Sequence, residues 1–104
     1  MSRKEKILAM LADDPEDAFL RYTLAMELRK EGSLDESIEM LRELAYSPDA
    51  KYVAAFFMAA QQLAELEKTE DARTMLRDGI EEARAQNNPH AAAEMAELLS
   101  ELGK

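Results

Sequence analysis

His90 is the one histidine of this chain and the side chain best suited to proton transfer or metal ligation near neutral pH. It stands alone. A metal site needs several ligands held together, and "NNPHAAAE" offers one imidazole beside solvated carboxylates. Placed just after Asn88-Pro89, His90 reads as an exposed residue in the first turn of a helix. Five serines occur, none in a nucleophile-elbow pattern, and Ser33 reads as a helix cap. The three glycines, at 32, 79 and 103, are too scattered for a phosphate loop. Gly79 reads instead as a small residue at a helix crossing. "DDPED" (13–17) has the composition of a calcium cluster but lacks the loop spacing, the central glycine and the distal glutamate. Acids at a helix N-terminus follow from the macrodipole alone. The chain has no cysteine, which removes thiol nucleophiles, disulfides and thiolate metal sites. The expectation is therefore a protein without catalysis, metal or cofactor. Glu94, Glu97 and Glu101 recur at steps of three and four, so they share one helix face. That stripe reads as the solvated face of a capping helix, with a dock for a basic segment as the alternative.

Such a chain does its work through shape and surface, and the elements that make the shape are helices. The 104 residues suit one domain. A chain of this length buries roughly 60–70% of the surface its unfolded form exposes. Ala, Leu, Met, Glu, Lys and Arg dominate, all good helix formers, and apolar residues recur at three- and four-residue steps. Each proline follows a capping residue, in Asp14-Pro15, Ser47-Pro48 and Asn88-Pro89. Proline at the first helical position gives up an N–H that would go unpaired anyway, so each pair reads as a helix start. Gly32 reads as a left-handed helix end. Ser33 with Glu36 reads as a capping box, and Thr69 as the next cap. Six helices are predicted: 3–13, 15–31, 34–46, 48–66, 69–87 and 89–102. Short connections make successive helices antiparallel neighbours.

Charge and hydropathy exclude other classes. The 22 acidic residues against 13 basic give a net charge of −9, which opposes binding to a phosphate backbone. "SRKEK" is followed by an apolar run of only six residues, so no leader is expected. No apolar run approaches the ~20 residues of a membrane-spanning helix. Without cysteines, a reducing cytoplasm is the expected compartment. "YVAAFFMAAQQL" (52–63) is the exception to an otherwise water-loving chain, apolar at ten of twelve positions. A helix apolar nearly all round must be enclosed or show a greasy face to a partner.

Sliding the sequence by 35 residues brings Tyr22 onto Phe57, Ala25 onto Ala60, Leu28 onto Leu63, Ser37 onto Ala72 and Leu41 onto Leu76. Aromatic meets aromatic, small meets small, and large aliphatic meets large aliphatic. Small residues on both helices of a hairpin let their backbones cross closely. Here the sequence resembles the tetratricopeptide repeat, with Leu24-Ala25, Leu28, Ser37 and Leu41 in a first motif and Ala59-Ala60, Leu63, Ala72 and Leu76 in a second. Arg21, Leu44 and Glu67 depart from the pattern, standing where an aromatic, a small residue and a turn glycine are usual. The likeness extends over nearly the whole chain and looks like small, free-standing bacterial tetratricopeptide proteins. It divides the domain into an N-terminal half-repeat helix (1–14), repeat 1 (15–48), repeat 2 (49–88) and a C-terminal capping helix (89–104), in which Leu99 takes the small-residue place.

The resemblance implies an all-α superhelix of antiparallel helix hairpins, in which the first helix of each pair lines the concave side. Val53, Phe56, Ala59, Ala60 and Leu63 are then expected in the core, and Ala54, Phe57, Gln61 and Ala64 in the groove. Matching groove positions are Phe19, Tyr22, Met26 and Arg29 on the earlier helix, and Ala93, Ala96 and Ser100 on the last. The implied function is a non-catalytic scaffold that binds an apolar peptide or helix of another protein, with Phe19, Tyr22, Met26 and Phe57 for apolar contact and Arg29 and Gln61 as polar rim. Self-association of the same groove into a homodimer is the alternative. The lysine and asparagine clamp with which some relatives hold acidic chaperone tails has no counterpart in Tyr22, Met26, Phe57 and Gln61.

Overall fold

A computed structural model describes residues 2–103. Six helices follow one another: α1 (Arg3–Asp13), α2 (Ala18–Lys30), α3 (Leu34–Tyr46), α4 (Val53–Glu65), α5 (Thr69–Ala85) and α6 (Pro89–Leu102). No strand occurs among the described residues. Each helix packs on the next, and α4 also touches α6, which makes a slab of 42 × 29 × 19 Å. The all-α hairpin stack read from the repeat is thus the observed architecture.

The expected small-residue crossings are present. Ala25, Ser37, Ala60 and Ala72 are all fully buried. At the first crossing the Ser37 hydroxyl donates to the Ala25 carbonyl at 2.8 Å, which only closely approaching α2 and α3 backbones permit. Leu44, the large residue in a customarily small place, is also fully buried and joins the main core. That core runs from α2 to α6. Ile7, Leu24 and Leu28 form a second, smaller cluster that seats α1, and Met40 packs against both.

The helix ends repeat with the same period. Gly32 has φ +84°, and Glu67, 35 residues on, takes φ +61° in its place. In both turns the next amide reaches back to close the helix, Ser33 N–H to Leu28 O and Lys68 N–H to Leu63 O, each at 2.9 Å. Asn87 (φ +58°) closes α5 in the same way, with Asn88 N–H on Ala83 O. These are paired C-terminal closures with one left-handed residue, and the hydrogen bonds enforce the conformation even where glycine is missing.

Two of the three proline boundaries differ from expectation. Pro89 does open α6, with Asn88 Oδ1 accepting from Ala91 N–H at 3.2 Å. Pro15 does not open α2. It lies in a turn closed by Asp17 N–H on Asp14 O, and Asp17 is the cap, accepting from Leu20 N–H at 2.9 Å. Pro48 likewise sits in a turn closed by Lys51 N–H on Ser47 O, and α4 starts only at Val53. Proline's fixed φ suits the second position of a turn as well as the first turn of a helix, so Asx-Pro and Ser-Pro pairs alone do not choose. Ser33 stands at the N-cap of α3 without a side-chain bond, and Lys68, rather than Thr69, holds that place for α5. Both residues have φ and ψ fixed near (−87°, 64°) by the closure of the preceding helix, which leaves the serine hydroxyl out of reach of the first turn. The capping box forms instead at the start of α1, between Ser2 and Glu5. Hydrogen bonding from the Ser2 backbone N–H, and then from the Ser2 side chain, holds the Glu5 carboxyl below its ordinary pKa.

One buried group works against stability. Gln62 is fully buried, and neither oxygen nor nitrogen of its amide meets a partner among the described residues. Glu27, 35 residues earlier, solves the same position by pairing with Arg3 and Lys30. A buried, unsatisfied amide costs about 1–3 kcal/mol, while an apolar side chain of similar shape carries no such cost. Gln62→Met is therefore expected to stabilise by about 1 kcal/mol and raise the thermal midpoint by roughly 4–8 °C, read by circular dichroism.

Candidate partner-binding groove

Helices α2 and α4 are the first helices of the hairpins α2–α3 and α4–α5, and α6 packs after α5 and touches α4. Phe19, Tyr22, Met26 and Arg29 lie on one stripe of α2 by their spacing. Two contacts set that stripe beside α4. The rings of Tyr22 and Tyr52 lie 5.2 Å apart at 31°, at the start of the two helices. At their ends the Arg29 guanidinium reaches Glu65 at 2.5 Å. Burial, and then the neighbouring Tyr52 hydroxyl, raise the Tyr22 pKa; Arg29 opposes them. The two helices are therefore parallel, with their polar and aromatic faces level.

The expected groove residues differ in how they are held. Phe19 is 66% exposed, an open aromatic with nothing folded over it. Tyr22, Met26 and Phe57 are half-buried and rest on the core. Gln61 is half-buried beside Phe57, while Arg29 is tied to Glu65 and is not a free cation. In α4 the expected division of faces holds except at Val53, expected in the core but lining the crevice toward α6. Phe56, Ala59, Ala60 and Leu63 are buried, Val53 and Ala64 are half-buried, and Ala54 is exposed. The greasy stretch is greasy because one side enters the core while the other stays open. Tyr52 belongs to this surface but was not among the expected residues, because the misplaced proline boundary put it inside a helix rather than at its N-cap.

Between α4 and α6 two cavities lie end to end, both lined by Phe57 and Glu94. One, of about 230 Å³, adds Gln61, Glu97, Leu98 and Glu101. The other, of about 150 Å³, adds Val53, Ala54, Asn88, Ala91 and Met95. The α6 lining differs from expectation. Ala93 and Ser100 are exposed and Ala96 is half-buried, but none of them lines this crevice. They sit on the crest of α6, about a third of a turn from the side that faces α4. The acidic stripe borders the crevice instead: Glu94, Glu97 and Glu101 are exposed, as a solvated face of the capping helix requires, and all three line the side that looks toward α4.

A larger cleft, of about 430 Å³, opens on the other side of the slab between α3, α5 and the α3–α4 turn. Part of its polar lining is already engaged. The Tyr46 hydroxyl donates to the Asp78 carboxylate at 2.6 Å, and the Gln86 amide donates to Lys51 O at 2.7 Å. Burial and the Asp78 bond raise the Tyr46 pKa, so this hydroxyl stays a donor that joins α3 to α5. His90 is exposed at the start of α6, with Nε2 3.2 Å from Glu94. Among the described residues no three His, Asp or Glu side chains converge to hold a metal, and no helix is long and apolar enough to cross a membrane.

This geometry, helix hairpins at a 35-residue period with first helices along one side, defines a tetratricopeptide-repeat fold. Comparison with solved structures agrees. A tetratricopeptide repeat domain protein from Salinibacter ruber superposes with a TM-score of 0.79 and is 27% identical, covering 86% of this chain and 89% of that one. A protein from Bordetella parapertussis superposes with a TM-score of 0.80 at 23% identity, covering 98% and 88%. Both sources are bacterial, as the resemblance implied. A scan against protein-family models finds no match, and a search of curated proteins finds none.

Proposed function

We propose that this protein is a non-catalytic interaction module that works in the cytoplasm and binds an apolar peptide or helix of another protein along α2, α4 and α6. Residues 15–48 and 49–88 act as its two repeats, 1–14 as a half-repeat and 89–104 as a cap. The observation that carries the reading is the open aromatic surface: Phe19, 66% exposed, in line with half-buried Tyr22 and Met26 on α2, with half-buried Phe57 on α4. Exposed aromatics on a preformed concave surface are what helix-in-groove recognition uses, and the small residue Ala54 leaves room above them for large side chains. Gln61 supplies polar bonding at the rim, and Arg29, held by Glu65, stiffens the wall between α2 and α4. The charge of −9 sets nucleic acid aside as a partner.

The test is capture from the native host with wild type, Tyr22→Asp and Phe57→Asp in parallel. Both variants are expected to keep their helicity and lose the partner. Retention of the same partner by both removes the groove from its recognition. Sedimentation separates the homodimer alternative, which requires a concentration-dependent dimer that both substitutions dissolve.

A further inference from the structure

The groove between α4 and α6 is one-sided in charge. Neither helix carries a lysine or arginine, while together they bring Glu65, Glu94, Glu97 and Glu101. Elsewhere the chain uses its cations to pair acids across helix contacts: Arg3 with Glu27, Lys4 with Glu31, Arg21 with Glu43, Arg42 with Asp71. Glu65 is answered by Arg29. Among the described residues Glu97 and Glu101 have no cation in reach, and Glu94 has only His90, an exposed side chain. All three carboxylates line the same cavity as Phe57 and Leu98. They do not converge on a metal site. They are spread along α6, and at 1.5 Å per residue Glu94 and Glu101 lie about 10 Å apart along the axis.

We infer that the occupant of this groove is a basic amphipathic segment of another protein, resting on the proposed groove reading and specifying its chemistry. Its apolar side chains cover Phe57 and Leu98, and its lysines or arginines, recurring about once per helical turn, face Glu94, Glu97 and Glu101. A second copy of the chain fits poorly. It would bring a net charge of −9 toward this wall, and like charge opposes that approach.

The test is selection of random dodecapeptides on the immobilised full chain at low salt, followed by fluorescence anisotropy of the enriched peptides. Enriched sequences are expected to interleave Lys or Arg with large apolar residues. Affinity is expected to fall at least tenfold in the triple variant Glu94→Gln, Glu97→Gln, Glu101→Gln. It should weaken several-fold as salt rises from about 0.01 to 0.1 M, where screening shortens the reach of charge from about 30 to about 10 Å. Neutral or acidic apolar winners, bound equally by the triple variant but lost in Phe57→Asp, overturn the charge inference and leave the groove standing. Winners retained by Phe57→Asp overturn the groove itself, and a library with no enrichment overturns both.

Discussion

Gly79→Ala is expected to destabilise this protein by about 1–2 kcal/mol although alanine is the best helix former and gains about 1 kcal/mol over glycine in an open helix. The reason is the crossing of α5 with α4 and α6. A Cβ at position 79 would fall 2.6 Å from Phe56 Cβ and 2.6 Å from Met95 Sδ. Carbon atoms in contact sit about 3.5–4.0 Å apart, so something must move. Met95 can shift, but Phe56 Cβ is fixed to the α4 backbone. Overpacking of this kind costs about 1–3 kcal/mol, outweighing the propensity gain. At roughly 4–8 °C per kcal/mol the thermal midpoint falls by about 5–15 °C. Asparagine separates the cause from any general dislike of side chains at glycine. At Gly32, where φ is +84° and no atom lies within 4 Å of the added Cβ, Asn should be nearly neutral. At Gly79, Asn should be worse than Ala. The reverse order would show that backbone conformation, not space, holds the glycine at 79.

The fold was legible because small residues have few reasons to recur. Ala25 and Ser37 returning as Ala60 and Ala72 at one period point to two backbone crossings, and both pairs are buried. Element limits were legible where one signal acted alone, as at Asn88-Pro89. They were lost at Pro15 and Pro48, where a turn and a helix start use the same residues. The rotation of a helix about its axis was harder. In α6 both Leu98 and Leu99 are apolar, so periodicity allows either toward the core. The structure buries Leu99 and turns Leu98 to the groove, which sets the exposed Glu94 and Glu101 along its edge. Gln62 was invisible for a related reason. Its side chain is polar, but its place on α4 between Ala59 and Leu63 is dictated by the buried face, and the amide follows the backbone inward.

Phe56 and Phe57 are adjacent in sequence, identical in chemistry, and expected to fail in opposite ways. Phe56 is 3% exposed, meets the Tyr46 ring edge-on at 5.2 Å, and sits against Gly79. Phe56→Ala removes a buried ring at the joint of α3, α4 and α5, and truncations of this kind cost about 3–5 kcal/mol. Small domains hold only about 5–15 kcal/mol in all. The variant is therefore expected to unfold at a far lower temperature or denaturant concentration, and to lose any partner only because it is less folded. Phe57 points about 100° away around the helix, toward the α4–α6 crevice. Phe57→Asp uncovers only the core's edge, on which the half-buried ring rests, so helicity and a cooperative transition should survive, with a loss of about 1 kcal/mol. Binding should vanish nonetheless, since an added carboxylate replaces the apolar floor beside Glu94. Measured together, unfolding and partner capture give the two residues opposite signatures. If Phe57→Asp unfolds the chain as Phe56→Ala does, the second phenylalanine is core, and no open face exists on α4 for a partner to use.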